Sequence, residues 1–131
     1  DKRTEHLNMQ LLDEFEKKRE LIESALEYAD HSHSVDDVLE TIKNKKAQFW
    51  PLPNSVIVTE IVSYPAGRSV RFWLAAGNMD ELLEAEPFIA KWGKEQYGCK
   101  KSEIIGRKGW VKKLTDYTEK AVLLSKEIKD E

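Results

Sequence analysis

The chain has 131 residues, 40% hydrophobic and 34% charged, with a formal net charge of −3, which fits one domain able to bury a core without staples. The single cysteine, Cys99, excludes an intrachain disulfide and a cysteine-rich metal site. The charge balance demands no nucleic acid partner, and no apolar run approaches the ~20 residues of a membrane span.

Residues 4–29 read as a helix, with Leu7, Leu11, Leu12, Phe15, Ile22, Leu26 and Ala29 recurring three and four apart between charged residues. A polar connector, Asp30-His31-Ser32-His33-Ser34, follows. Ser34 is a predicted N-cap with Asp37 at the capping-box position. Val35, Val38, Leu39 and Ile42 give the short second helix one apolar face. The period then changes. Gln48-Phe49-Trp50 reads as a strand, Pro51, Pro53 and Asn54 as a turn, and Ser55 to Ser63 as a β-branched strand. Residues 64–68 suit a hairpin loop. Ser69 to Ala76 returns antiparallel, with Val70, Phe72 and Leu74 expected on one face and Arg71, Trp73 and Ala75 on the other.

Gly77-Asn78 breaks that strand. Leu82, Leu83, Phe88, Ile89, Trp92 and Tyr97 then carry a helical pattern. Pro87 is expected to interrupt it, with the helix restarting near Glu86-Pro87, and Gly98 suits its C-terminal cap. Lys101 to Ile105 reads as a short strand, Gly106 to Gly109 as a turn, Trp110 to Leu114 as one helical turn, and Ala121 to Ile128 as a last strand. The expected order is therefore α-α-β-β-β-α-β-α-β. That is an α/β arrangement, an α+β mixed sheet with a parallel crossover around the helix at 86–97. One domain spans 1–131. Its first 33 residues, a long helix and connector, have the length to stand partly clear of the core as an interaction arm.

This order is similar to that of the GNAT superfamily of N-acetyltransferases over roughly residues 7–128. A closer likeness is to small proteins of tailed bacteriophages and prophages. It is carried by Gln48-Phe49-Trp50, Val58-Thr59-Glu60-Ile61, Phe72-Trp73-Leu74-Ala75, Glu86-Pro87, Gly106-Arg107-Lys108-Gly109-Trp110 followed by Tyr117, and Lys126-Glu127. The resemblance implies a phage-encoded protein with an acetyltransferase-like fold, located in the virion or the host cytoplasm.

Active members of the superfamily hold acetyl-coenzyme A where a splayed strand meets the long helix, through a Gln/Arg-x-x-Gly-x-Gly/Ala loop. Here Ala76, Gly77 and Asn78 occupy that place, followed by Met79, Asp80 and Glu81, and the pattern is missing. Asn78 can cap the helix itself, with Glu81 completing a capping box. Asp80 and Glu81 put negative charge where the pyrophosphate would lie. No cofactor is therefore expected, acetyl-coenzyme A being the exception if the enzyme reading holds.

Glu60 lies in a strand where related enzymes often keep a general base; the plainer reading pairs it with a lysine or arginine on a neighbouring strand. Tyr117 falls near the tyrosine that protonates the departing thiolate in related enzymes, or is a packing residue with its hydroxyl at the surface. His31 and His33 form a weak His-x-His pair, read as solvated connector, and no metal site is expected. Cys99 reads as a buried inert thiol. Arg107 and Lys108, with Lys100, Lys101, Lys112 and Lys113 and with Trp110 among them, form a basic cluster suited to an acidic protein surface or to nucleic acid. The leading expectation is a non-catalytic protein that works through protein contacts, as a virion component among other phage structural proteins or as an accessory factor. An active acetyl-coenzyme A-dependent N-acetyltransferase and a nucleic-acid-associated phage factor are the alternatives.

Overall fold

The first helix carries a buried stripe at Phe15, Ile22, Ala25 and Leu26, while most of its charged residues face water. In a computed structural model that describes residues 2–29, 32–105, 112–121 and 123–129, this helix, α1, runs Lys2–Tyr28. Ser34 caps α2 (Val35–Lys43) with the expected box. Its hydroxyl accepts from the Asp37 N–H at 3.1 Å, and its own N–H donates to the Asp37 carboxylate at 2.9 Å.

Three strands follow as a meander: β1 (Gln48–Leu52), β2 (Ser55–Tyr64) and β3 (Gly67–Gly77). Then come α3 (Met79–Tyr97) and β4 (Lys101–Ile104). The sheet order is β1-β2-β3-β4; the first two pairings are antiparallel and β3–β4 is parallel. The fold is α+β, with a mixed sheet of four strands among the described residues. Pro51 lies inside β1 instead of in the turn. Among the described residues β1 pairs only with β2, and an edge strand tolerates a residue without an N–H.

The sheet separates two cores. Val56, Val58, Leu74 and Ala76 pack with Phe15, Ile22, Leu26, Val38 and Ile42 of α1 and α2. Ile57, Val70 and Phe72 pack on the opposite face with Leu82 and Ile89 of α3. At Gly93 the second layer comes closest, because a Cβ there would stand 3.1 Å from the Val70 Cβ. Thr59, fully buried, accepts from the Trp50 indole N–H at 2.9 Å and donates to Gln48 Oε1 at 2.8 Å. Trp50 in turn meets Trp92 edge-on, ring centroids 5.0 Å apart.

Three further expectations about these elements need correction. Strict alternation along β3 fails, because the register shifts between Val58 and Thr59: Val58 faces Leu74, Thr59 faces Phe72, and Trp73 is left over. This bulge turns Trp73 and Leu74 to the same side. Leu74 thus joins the α1–α2 core and Ala75 the α3 core. Pro87 does not interrupt α3. It lies on the exposed side, and Leu82 before it and Ile89 and Gly93 after it are buried; burial on both sides outweighs the lost hydrogen bond.

The third correction concerns the end of the chain. The order α-α-β-β-β-α-β-α-β is not the one observed. Of the expected turn of helix at 110–114, residues 110 and 111 lie outside the described residues, and Lys112 and Lys113 are helical. No strand forms over the described part of 121–128, where Leu123, Leu124 and Ile128 are 78%, 88% and 88% exposed. β-propensity expresses itself only against a paired, half-buried surface, and this segment has neither among the described residues.

Candidate functional site

The place to look for chemistry is the junction where β3 hands over to α3. Asn78 is extended, and its Oδ1 accepts from the Glu81 N–H at 3.0 Å, the expected N-cap. The capping box is not completed. The Asn78 N–H donates to Ser55 Oγ at 2.9 Å, and the Glu81 carboxylate turns away to accept from the Asn54 N–H at 2.9 Å and the Asn54 side-chain amide at 3.2 Å. These bonds hold the Glu81 carboxyl below its usual range, the Asn54 N–H contributing most. The Lys18 ammonium of α1 donates to the carbonyls of Leu52 and Pro53 in the same turn. Helix α1, the β1–β2 turn and the start of α3 are thereby tied together.

Gly77 explains why the chain passes so tightly here. Its φ is +123°, and a Cβ would stand 2.4 Å from the Asn54 carbonyl oxygen and 2.5 Å from the Ser55 Cα. Its role is to let two backbones touch. Ala76 beside it is buried in the α1–α2 core. Of the three positions that resemblance nominates for a cofactor, Ala76 is core, Gly77 is against backbone, and Asn78 is spent on capping.

Parallel pairing of β3 with β4 runs from Ser69↔Lys101 to Phe72↔Ile104. Beyond Phe72, no described strand lies along that side of β3.

Tyr117 is half-buried, and its hydroxyl is engaged instead of lying free at the surface. It donates to Glu86 Oε1 of α3 at 2.6 Å and lies 2.5 Å from Ser102 Oγ of β4. A phenol has one proton to give, so Ser102 is the donor in that second bond. Burial, then the bond to Glu86, raises the Tyr117 pKa well above its ordinary value. The group holds two elements together.

Glu60 pairs across the sheet. Arg71 Nη1 meets Glu60 Oε1 at 3.3 Å, Arg71 Nε meets Glu103 Oε2 at 3.3 Å, and Arg71 Nη2 donates to Tyr64 Oη at 3.0 Å. The carboxylate faces a guanidinium, the arrangement of a sheet-surface ion pair.

The remaining candidates do not converge. Arg107, Lys108 and Trp110 lie outside the described residues, as does His31; Lys112 and Lys113 are exposed. His33 Nδ1 lies 2.8 Å from Ser32 Oγ, and its ring meets Trp73 edge-on at 4.9 Å. Among the described residues no group of three or more histidine, cysteine, aspartate or glutamate side chains could hold a metal. Cys99 is buried, and burial raises its thiol pKa. The residues that close the junction, Lys18, Asn54 and Ser55, were not legible as site residues, nor were Glu86 and Ser102. Only an Asn after two prolines hinted at the turn; nothing in spacing links residues so far apart.

Comparison of the chain with protein-family models, with curated proteins and with solved structures found no match.

Proposed function

We propose that the chain is a non-catalytic binding protein that works through protein contacts, on a scaffold similar to that of the N-acetyltransferases. The observation that carries this reading is the closed junction at Asn78 and Glu81. A helix start receives a diphosphate through bare N–H groups. Here the Glu81 N–H is taken by the Asn78 side chain, and the Glu81 carboxylate stands beside it, held by Asn54. Asp80 adds a second negative charge in the first turn. These residues do not fit an anionic cofactor, and no step through acetyl-coenzyme A is derived. Phage origin, and a place in the particle or in the infected cell, rest on the sequence likeness alone.

One observation favours the catalytic alternative. The β3–β4 pairing ends at Phe72↔Ile104, so Trp73 to Gly77 run on with no described strand on that side, as a splayed pair would. A calorimetric titration of the whole chain with acetyl-coenzyme A separates the readings. No saturable heat and no rise in melting temperature are expected. Saturable binding that stabilises the fold would overturn the proposal. Gly77→Ala is unsuitable as a control, because that substitution strikes backbone.

A further inference from the structure

The end of α3 and the start of β4 gather positive charge. On the α3 side, an open groove of about 460 Å³ runs between α3 and β4. Among the described residues its lining holds four lysines, Lys91, Lys94, Lys100 and Lys101, and no carboxylate, over a floor of Ala90 and Cys99. All four lysines are exposed. Lys91 has one neighbouring acid, Glu95 at 3.9 Å. In a chain of net charge −3, this is a concentrated positive site.

The matching feature lies on the opposite face. Asp13, Glu16, Glu20, Glu23 and Glu27 recur three and four apart along α1, so they form one stripe. All are exposed, on the side away from the buried Phe15, Ile22 and Ala25. Asp13 is balanced by Lys17 and Glu16 by Arg19. Glu20, Glu23 and Glu27 have no ion pair among the described residues, which leaves the second half of the stripe negative. The groove and this ridge are on opposite faces of one sheet and cannot meet within one molecule.

We propose that the groove between α3 and β4 receives the acidic outer face of α1 from a second copy of the chain. The two surfaces differ, so the contact is head-to-tail, and each added copy leaves a groove and a ridge free for the next. Exposed ion pairs each contribute little and are screened by salt. The assembly is therefore weak, grows with concentration and dissolves in salt. Nucleic acid is a poorer occupant, because among the described residues no aromatic ring lines the groove for stacking. The inference holds whether or not the scaffold is catalytic.

Sedimentation velocity of the full chain at about 0.01 M and about 1 M ionic strength, where the screening length is about 30 Å and about 3 Å, tests it. Average mass is expected to rise with concentration at low salt, past that of a dimer, and to fall to a monomer at high salt. Two variants sharpen the test. One carries Lys91→Glu, Lys94→Glu, Lys100→Glu and Lys101→Glu; the other carries Glu20→Lys, Glu23→Lys and Glu27→Lys. Each alone should stay monomeric with an unchanged circular dichroism spectrum. Mixed, they should associate, because reversed groove then faces reversed ridge. A third variant, Glu84→Lys, Glu119→Lys and Glu127→Lys, matches the net charge of the second but leaves groove and ridge intact, and alone at low salt it should still associate where the second stays monomeric. A wild-type chain that stays monomeric at low salt overturns the proposal. So does a third variant that is as monomeric as the second, since net charge and not the ridge would then control association.

Discussion

The β3–α3 junction and the segment after Tyr117 differ in what holds them. At the junction, Gly77 lies against the Asn54 carbonyl, Asn78 bonds to Ser55 and Glu81, and Glu81 bonds back to Asn54. Past Tyr117 the described residues are exposed, Leu124 and Ile128 at 88% each. Both stretches carry residues that family resemblance would recruit for function or for the sheet. One is tightly packed because backbone meets backbone. The other is exposed, its apolar residues having no described surface to cover them. Packing partners decided the outcome, while local propensity favoured order in both.

The contrast breaks most sharply at Gly77. Gly77→Ala forces a Cβ into backbone at a positive φ, and the loss expected is more than about 2 kcal/mol. Chemical denaturation would measure it as a lower midpoint with an unchanged slope. A cost of a few tenths of a kcal/mol, the scale of a surface substitution, would mean that the turn moves freely and that the junction is not closed.

What could be read beforehand follows the range of the interactions. The Ser34 box, the β2–β3 hairpin and the Gly98 cap are local, three or four residues across, and spacing displayed them. The bulge at Trp73 was hidden, because a register slip between Val58 and Thr59 depends on the partner strand. Pro87 misled, since its effect depends on burial either side of it. At the candidate site, Asn78 as a cap was legible. The Glu81 link was misassigned, because a carboxylate three residues on could reach its own cap or a turn 27 positions away in sequence, and chose the second. Tyr117 was visible as a residue, but its partners Glu86 and Ser102 are 31 and 15 positions distant.

Acid should loosen the junction. Glu81 has a folded pKa below its ordinary 4.5. A depressed carboxyl stabilises the fold above the unfolded pKa, and the contribution disappears as pH falls through the folded value. Melting temperature of the wild-type chain should therefore fall below about pH 4.5 more steeply than that of Glu81→Gln. The variant starts lower at neutral pH, since an amide oxygen accepts more weakly than a carboxylate. Parallel curves for the two proteins would remove Glu81 from the account.

The smallest effect belongs to the far end. A chain stopped after Tyr117 keeps the bonds of that hydroxyl to Glu86 and Ser102. It loses Leu123, Leu124 and Ile128, whose exposure leaves little apolar area to return to water. Its denaturation midpoint should stay within about 0.5 kcal/mol of the full chain, the range of surface changes. A larger loss would show that residues 121–128 bury their apolar side chains in solution. The run of Val, Leu and Ile would then be serving the sheet after all, and the difference between the two regions would shrink to one of order in time.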